Sequence, residues 1–405
     1  MNKKLMAAAV AGALALPGVA LAQSSVTISG IIKVGLDNLK MGNASAARSH
    51  SSETRVTDNS SRILFNVTED LGGGLSAIAQ MDLRFSADVD QTTANGYGAV
   101  SSTTRMSGNT WVGLRSKTLG TLTLGRHDLH YGSQPDSIAA KAGALMASSV
   151  SLMDSTIAGA IAGNTRTPNV VRYDTPNWNG FTATVAYSTN PGGVEADIAN
   201  TPAGGTSLRK GRAWNFAPKY TAKNWGVGYS YWSSKNDNFT TPGAAGAVSN
   251  LGVTGAAAGA ATAGNQRGDV LSGYYQWGGF KAGLAWNSSK TENANTGVKT
   301  SDRRAWTIPV SYTTGNHNIY AHYTKAGNDK TTAANDSAKM FAVAYVYDLS
   351  KRTSVGLTYA KITNQAAAAY NFFTNGATGA FGSQGSAPAA GEDPRLIAAT
   401  VRHAF

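Results

Sequence analysis

The sequence predicts an all-β protein, namely a transmembrane antiparallel up-and-down β-barrel of about sixteen strands. Three observations lead to this fold class. Apolar and polar residues alternate with period two along segments of about ten residues, the length that a tilted strand needs to cross a bilayer. Short and long connections alternate between these segments. Only 14% of the residues are charged, against about a quarter in soluble proteins.

The alternation is clearest between Arg62 and Thr68, where Ile63, Phe65 and Val67 share one face of the predicted strand. A strand places successive side chains on opposite faces, so this pattern makes one apolar and one polar face. The predicted strands lie near 26–36, 62–69, 75–85, 109–116, 121–126, 168–175, 181–189, 213–222, 226–235, 268–277, 280–288, 303–313, 318–325, 338–347, 353–363 and 395–405.

The connections between these segments alternate in length, as they do in barrels with short periplasmic turns and long outer loops. The short turns are Asp70–Gly74, Ser116–Gly120, Pro176–Gly180, Lys223–Trp225, Gly278–Gly279, Thr314–His317 and Leu349–Arg352. The longer connections are 37–61, 86–108, 127–167, 190–212, 236–267, 289–302, 326–337 and 364–394. Pro309 stands in the middle of a predicted strand, and because proline cannot donate to the ladder we interpret it as a β-bulge.

The composition narrows the function classes. The chain has 405 residues, 46 glycines and no cysteine, so thiol catalysis, thiolate metal sites and disulfides are excluded. The mean hydropathy of −0.21 argues against a bundle of membrane helices. An all-β surface protein, a membrane β-barrel and a low-complexity fibre remain.

Residues 1–22 have the pattern of a cleaved secretory signal peptide. Lys3 and Lys4 precede an Ala/Leu-rich run, and Ala20 to Ala22 form a small-x-small cleavage site. An N-terminal membrane anchor is the alternative, but Pro17 and the many small residues favour a signal peptide. We therefore expect a leader over 1–22, export to the cell envelope, and a single barrel domain over 23–405. Loss of the two lysines lowers the net charge from +12 to +10.

A soluble β-sandwich would also alternate, but three features favour the membrane barrel. Trp178, Trp225 and Trp277 all lie at predicted short turns, where an aromatic girdle would meet the membrane interface. The polar faces carry arginine and lysine at strand centres, which a dry core would reject. The chain ends in an alternating strand closed by the aromatic residue Phe405.

Several blocks distributed from end to end of the chain resemble the trimeric general porins of Gram-negative outer membranes, in particular the betaproteobacterial type. These blocks are Gln23–Gly30, Ser61–Arg62, Thr68–Leu75, Trp111–Leu114, Leu119–Arg126, Asn169–Tyr173, Thr175–Phe181, Leu349–Thr353 and Val401–Phe405. The block around Glu69–Leu75 and the terminal strand are fairly specific together, whereas each alone is weak.

The resemblance implies a sixteen-stranded barrel with a water-filled lumen, three barrels per assembly, and a third long loop that folds inward. Here that loop is about 127–167, the longest predicted connection. Small solutes and ions would diffuse through the constriction passively. We therefore expect a homotrimer in the outer membrane, in contact with lipid and lipopolysaccharide, with neither enzymatic activity nor a cofactor.

Parity assigns candidate residues to the lumen. Arg62 lies opposite Ile63 and Phe65, and placing an arginine towards lipid at the midplane would cost about 2–4 kcal/mol. By the same alternation the lumen also receives Arg84 and Asp82 on one strand, and Arg166 and Arg172 near another. Arg402 shares this orientation.

The resemblance places some of these residues at the eyelet of the pore. Arg62 and Arg166 fall where anion-selective members carry eyelet arginines, and Arg126 falls at a strand end where many members carry a base. A further eyelet arginine would align near Gly108 and is absent, which Arg172 could offset. Acids across the eyelet would create a transverse field; the candidates are Asp82, Asp128, Asp136 and Asp154.

A ring of arginine in a narrow passage focuses positive potential and raises the local anion concentration. The sequence thus predicts a weakly anion-selective channel for small hydrophilic or anionic solutes. Two alternatives stay open: a substrate-specific channel on the same barrel, and a non-conducting adhesin or structural outer-membrane protein whose barrel is smaller or plugged. Neither a metal site nor nucleic-acid binding is indicated by the six histidines and the dispersed bases.

Overall fold

The structure, a computed structural model, describes residues 24–59, 61–85, 87–88, 108–130, 148–153, 167–191, 211–236, 264–293, 297–372 and 388–405. The predicted leader, 1–22, lies outside these residues. Among those described, no helix has the length and apolarity needed to cross a bilayer.

One antiparallel sheet of seventeen strand segments forms the wall. The segments are β1 (Ser25–Gly42), β2 (Ser52–Asp58), β3 (Arg62–Gly72), β4 (Leu75–Arg84), β5 (Thr110–Ser116), β6 (Gly120–His127), β7 (Thr167–Asp174), β8 (Phe181–Ser188), β9 (Gly211–Thr221), β10 (Trp225–Asn236), β11 (Gly264–Trp277), β12 (Phe280–Asn293), β13 (Lys299–Thr314), β14 (His317–Ala326), β15 (Ala338–Asp348), β16 (Thr353–Asn364) and β17 (Asp393–Ala404). A short helix, α1 (Val150–Met153), lies in the third long connection.

The sheet closes because β1 pairs with β17 on one side and with β2 and β3 on the other. The segments β2 and β3 continue one another along β1, so they occupy a single position and the wall has sixteen positions. The predicted barrel of about sixteen strands is thereby confirmed. A barrel of this size encloses an aqueous channel, whereas eight strands leave room only for side chains. The smaller form of the non-conducting alternative is therefore wrong, and its plugged form stays an alternative.

The segment β2 corrects the predicted connection 37–61. The first strand continues to Gly42 and Ser52–Asp58 pairs with it, which leaves only 43–51 as the connection. Here Arg55 and Thr57 turn inward and donate to the Asp37 carboxylate, at 2.8 Å and 2.7 Å. An apolar outer face is needed only at the depth of the membrane, so a strand extended beyond that depth loses the alternation that identifies it.

The interpretation of Pro309 as a bulge is also wrong. Pro309 is opposite His322 in β14. On its other side, the β12–β13 pairing has a gap at Pro309, but the register is the same before and after the gap, with Ala282 opposite Val310 and Ala285 opposite Thr307. The backbone hydrogen bonds between the strands are interrupted there because proline has no N–H to donate. The same interruption without a register shift occurs beside Pro218 in β9.

The two faces of the wall are inverted relative to a soluble protein. Large apolar side chains are exposed on the outside, whereas polar side chains such as Asn287 and Ser289 are buried on the inside. Trp178, Trp225 and Trp277 are exposed at the short-turn end, and Trp277 stacks on Phe280 with ring centroids 5.8 Å apart. This arrangement matches the apolar band and aromatic girdle of a membrane barrel.

Candidate functional site: the lumen and its constriction

The described residues of the third long connection, 128–130 and 148–153, pack against the inner face of the barrel wall. The connection leaves the wall at the end of β6, and α1 packs against the inner face of β13 to β15. The side-chain amide of Asn287 in β12 donates to the Met153 carbonyl at 2.8 Å, and Leu152 is completely buried. Since β13 to β15 lie across the barrel from β6, the described residues 148–153 lie on the opposite side of the wall from the start of this connection.

The first residues of the connection are held against β9 and β10. The backbone N–H of His130 donates to the Asn215 Oδ1 at 3.3 Å, and its Nδ1 lies 2.9 Å from the Ser230 Oγ. The imidazole packs beside the fully buried Trp232, with ring centroids 6.2 Å apart. Burial lowers the pKa of His130 to about 3, so the ring is neutral. These contacts fix where the loop enters the lumen.

Arg84 and Asp82 form a closed ion pair on the wall facing this loop. Arg84 Nε lies 2.8 Å from Asp82 Oδ1 and Nη2 lies 2.9 Å from Oδ2, a two-point contact. Both residues are buried, with exposures of 6% and 2%. Asp82 Oδ2 also accepts the Asn109 backbone N–H at 3.3 Å. A bidentate pair of this kind holds its geometry and largely cancels its own charge.

Arg62 lies directly opposite Arg84 in the β3–β4 pair, so the two side chains share the inner face. In contrast to Arg84, Arg62 forms no ion pair with any described residue, and its Nε is buried without a hydrogen-bond partner. The carboxylates of Asp82 and Asp128 act on it only through space. Among the described residues, Arg62 is therefore a positive charge in the lumen wall that no ion pair compensates.

Arg172 is paired as well. Its Nε and Nη2 contact the Asp174 carboxylate at 2.8 Å and 2.9 Å, and its Nη1 donates to the Asp128 carbonyl at 3.3 Å. The Asp128 carboxylate itself accepts from the Asn109 amide at 2.8 Å. The base of the third loop is thus attached to the wall through Asp128 and Arg172.

Arg126 lies where the β6–β7 register shifts between Gly125 and His127, so strand parity does not give the direction of its side chain, and its place at the eyelet stays a prediction. The adjacent His127 is buried and stacks on Trp111, with centroids 5.9 Å apart.

Three predicted residues, Arg166, Asp136 and Asp154, lie outside the described residues. The structure thus brings together Arg62, Arg84, Arg172, Asp82 and Asp128, and their roles in permeation stay predictions.

Sequence reasoning overlooked Lys33. This lysine alternates with Ile32 and Val34 in β1, so the parity that identified Arg62 could have found it. Its side chain is only 7% exposed and lies directly opposite Arg402 of β17 on the inner face.

Two clusters of charged residues tie the outer loops together. Arg48 in the first loop contacts Glu392, which also accepts the Ser45 backbone N–H at 2.8 Å. Arg303 contacts Asp336 at 2.6 Å and Asp329 at 3.4 Å. Within the described ranges, no three His, Asp or Glu side chains come together in a metal-ligating group.

Comparison with known proteins agrees with this geometry. The chain matches the Gram-negative porin family over residues 7–368. It is 26% identical over 388 residues to an outer membrane porin protein of Bordetella pertussis, and the match covers 88% of this chain and 92% of that protein.

Two solved structures show the same fold. The anion-selective porin from Comamonas acidovorans superposes with a TM-score of 0.70 at 20% identity, covering 95% of this chain and 100% of that one. OmpT of Vibrio cholerae gives a TM-score of 0.63 at 12% identity, covering 94% and 98%. The closed barrel, the loop residues packed against its inner face and the match over most of the chain lead to one conclusion: this protein belongs to the Gram-negative porin family and is an outer-membrane channel.

Proposed function

We propose that this porin lets small hydrophilic solutes and ions diffuse passively and prefers anions weakly. One observation carries the proposal: Arg62 is an uncompensated base on the lumen wall, whereas its neighbours Arg84 and Arg172 are each paired with an aspartate. Anion selectivity of the structural relative from Comamonas acidovorans supports the same direction.

The mechanism is electrostatic. A fixed positive charge in a narrow passage with low-dielectric walls raises the local concentration of anions and repels cations. Arginine suits this position because its guanidinium stays charged at any physiological pH. Because the neighbouring Arg84 and Arg172 are closed in ion pairs, the bias is small; a preference below tenfold corresponds to less than about 1.4 kcal/mol. Transport then follows the solute gradient without an energy source.

The assembly and export route complete the proposal. Residues 1–22 act as a cleaved signal peptide, and three copies assemble in the outer membrane, as OmpT also exists in a trimer form. The outer apolar band contacts lipid, and the outer loops face lipopolysaccharide.

A planar-bilayer experiment tests both parts of the proposal. The refolded wild-type protein is inserted under about a tenfold KCl gradient, and the reversal potential and the size of the conductance steps are recorded. We expect conductance that steps in groups of three and a reversal potential on the chloride side. A potassium-side potential would contradict the anion preference, and folded protein without conductance would contradict the channel.

A further inference from the structure

A second group of bases lies on the lumen wall beside Arg62. Lys33 in β1 and Arg402 in β17 are directly opposite one another, on the inner face of their strand pair. Their neighbours Ile32 and Val401 are exposed on the outer face. Like charges placed opposite each other destabilise a strand pair, so this arrangement is not explained by the stability of the wall.

Neither base is compensated by an ion pair. Within the described part of the chain, the side chains of Lys33 and Arg402 form no salt bridge and no hydrogen bond. Asp58 is the one carboxylate whose charge attracts Lys33, whereas Arg402 and Arg62 both repel it. A crowded, unpaired charge at membrane depth is costly, and such charges mark ligand and ion pathways.

The three bases follow a line along the pore. Arg402 and Lys33 share one row of the sheet, and Arg62 belongs to the next inward-facing row because it pairs with Ile31. The row of Arg402 and Lys33 continues to Ser354, which is opposite Arg402 and only one residue from the short-turn end of β16. At the other end of the line Arg84, opposite Arg62, is the last residue of β4 before its long connection. Since barrel strands are tilted, the rows climb from the short-turn mouth to the constriction.

Two hydroxyls adjoin the bases and also lack partners. The Oγ of Ser354 and the Oγ1 of Thr400 are buried on the inner face without a hydrogen-bond partner. Thr400 lies two residues from Arg402 on the same face. Hydroxyls can donate to an oxyanion, and arginine can hold one at two points.

We propose that Lys33, Arg402 and Arg62 form a binding subsite for a small tetrahedral oxyanion that carries two charges, the class of inorganic phosphate. This inference rests on the proposed function, since the ligand reaches the subsite through the lumen. A dianion neutralises two of the repelling bases at once, which a chloride ion cannot do. The subsite extends from the short-turn side of the wall to Arg62, which lies opposite Arg84, but it does not include the Arg84–Asp82 pair.

Direct binding tests the subsite independently of conductance. The full-length protein in detergent micelles is dialysed against labelled inorganic phosphate at about pH 7, where a phosphate group carries about −1.5 to −2 charges. We expect saturable binding of one phosphate per chain, which Lys33→Met weakens by about tenfold or more and Lys33→Arg retains. Every variant is first checked for heat-modifiable gel mobility, the sign of a folded barrel.

The matched control is Lys219→Met. Lys219 has the inward parity of Ala217 on β9, across the lumen from β1, and is exposed. Its loss removes one lumenal charge without touching the subsite, so phosphate affinity should stay within about twofold. The proposal is overturned if the wild-type protein shows no saturable phosphate binding, or if Lys33→Met and Lys219→Met weaken binding equally. It is also overturned if acetate at equal concentration competes as well as unlabelled phosphate.

The outcomes separate this inference from the proposed function. A reversal potential on the chloride side without saturable phosphate binding overturns only the proposed phosphate subsite. Saturable phosphate binding that depends on Lys33, together with a potassium-side reversal potential, supports the subsite and contradicts the anion preference.

Discussion

Arg48 in the first outer loop holds the carboxylate of Glu392, which immediately precedes the last strand. The two residues are far apart in sequence, and their side chains are 14% and 1% exposed. Glu392 also accepts backbone N–H groups of Ser45 and Ala389, each at 2.8 Å. The pair therefore closes the outer rim at the point where the first and last strands of the barrel meet.

This contact predicts acid-sensitive stability. Hydrogen bonds from Arg48 hold the pKa of Glu392 at about 2, below its ordinary value of 4.5. Because the pKa is lower in the folded state, the stabilisation is complete above the ordinary value and is lost as pH falls through 4.5 towards 2. Glu392→Gln should lower the melting temperature at neutral pH and should approach wild type near pH 2. Glu53→Gln, an exposed change in β2, serves as the control; a deficit that persists at low pH would contradict the account.

Arg303 predicts a second stabilising contact in the outer loops. It contacts Asp336 and Asp329 and donates to the Tyr370 hydroxyl at 2.8 Å. Removal of one partner of a buried pair leaves uncompensated charge and costs about 3–5 kcal/mol. Arg303→Gln should therefore lower the melting temperature and speed proteolysis of 327–337, as measured by mass spectrometry of the fragments. The neighbouring Arg304 is exposed, so Arg304→Gln should behave like wild type; equal effects would contradict this role.

His130 predicts a constriction-loop phenotype. Its contacts with Asn215, Ser230 and Trp232 hold the start of the third loop against the wall. His130→Ala should loosen the loop, which we expect to raise open-channel current noise without altering the barrel's heat-modifiable mobility. The exposed His50 in the first outer loop provides the control, since His50→Ala should leave the noise unchanged. Equal open-channel current noise in His130→Ala and His50→Ala would contradict the role of His130 in holding the third loop.

Asp82 predicts a gain of anion preference. Its carboxylate neutralises Arg84, and Arg62 lies directly opposite that arginine. Asp82→Asn should free a second positive charge and move the reversal potential further to the chloride side. Arg84→Gln should move it the other way, because the Asp82 charge then acts on Arg62. The double variant Asp82→Asn/Arg84→Gln should return close to wild type; shifts of the same sign in the two single variants would contradict the pairing.

The sequence was sufficient to predict the sixteen wall positions because the bilayer imposes an apolar outer face on each strand. Ser52–Asp58 escaped prediction because it extends β3 to the loop side, where Val56 is its one large apolar residue facing outward. Pro309 misled the interpretation because a proline can interrupt a ladder without shifting its register.

The candidate site was predictable in part. Parity assigned Arg62, Arg84 and Asp82 to the inner face, but it could not say which arginine the aspartate would bind. Arg84 is on the same strand as Asp82, and Arg62 is directly opposite Arg84 on the adjacent strand. The choice between them therefore depends on side-chain geometry. Lys33 was equally accessible to the parity argument, whereas its position opposite Arg402 depends on closure between the first and last strands.

The central claim is that the uncompensated charge of Arg62 sets the anion preference. The most direct test is the reversal potential of Arg62→Gln in about a tenfold KCl gradient, beside Lys219→Gln, which also removes one inward-facing charge. We predict that Arg62→Gln moves the potential from the chloride side towards zero, while Lys219→Gln shifts it little. An unchanged potential in Arg62→Gln, or an equal shift in both variants, would contradict the claim.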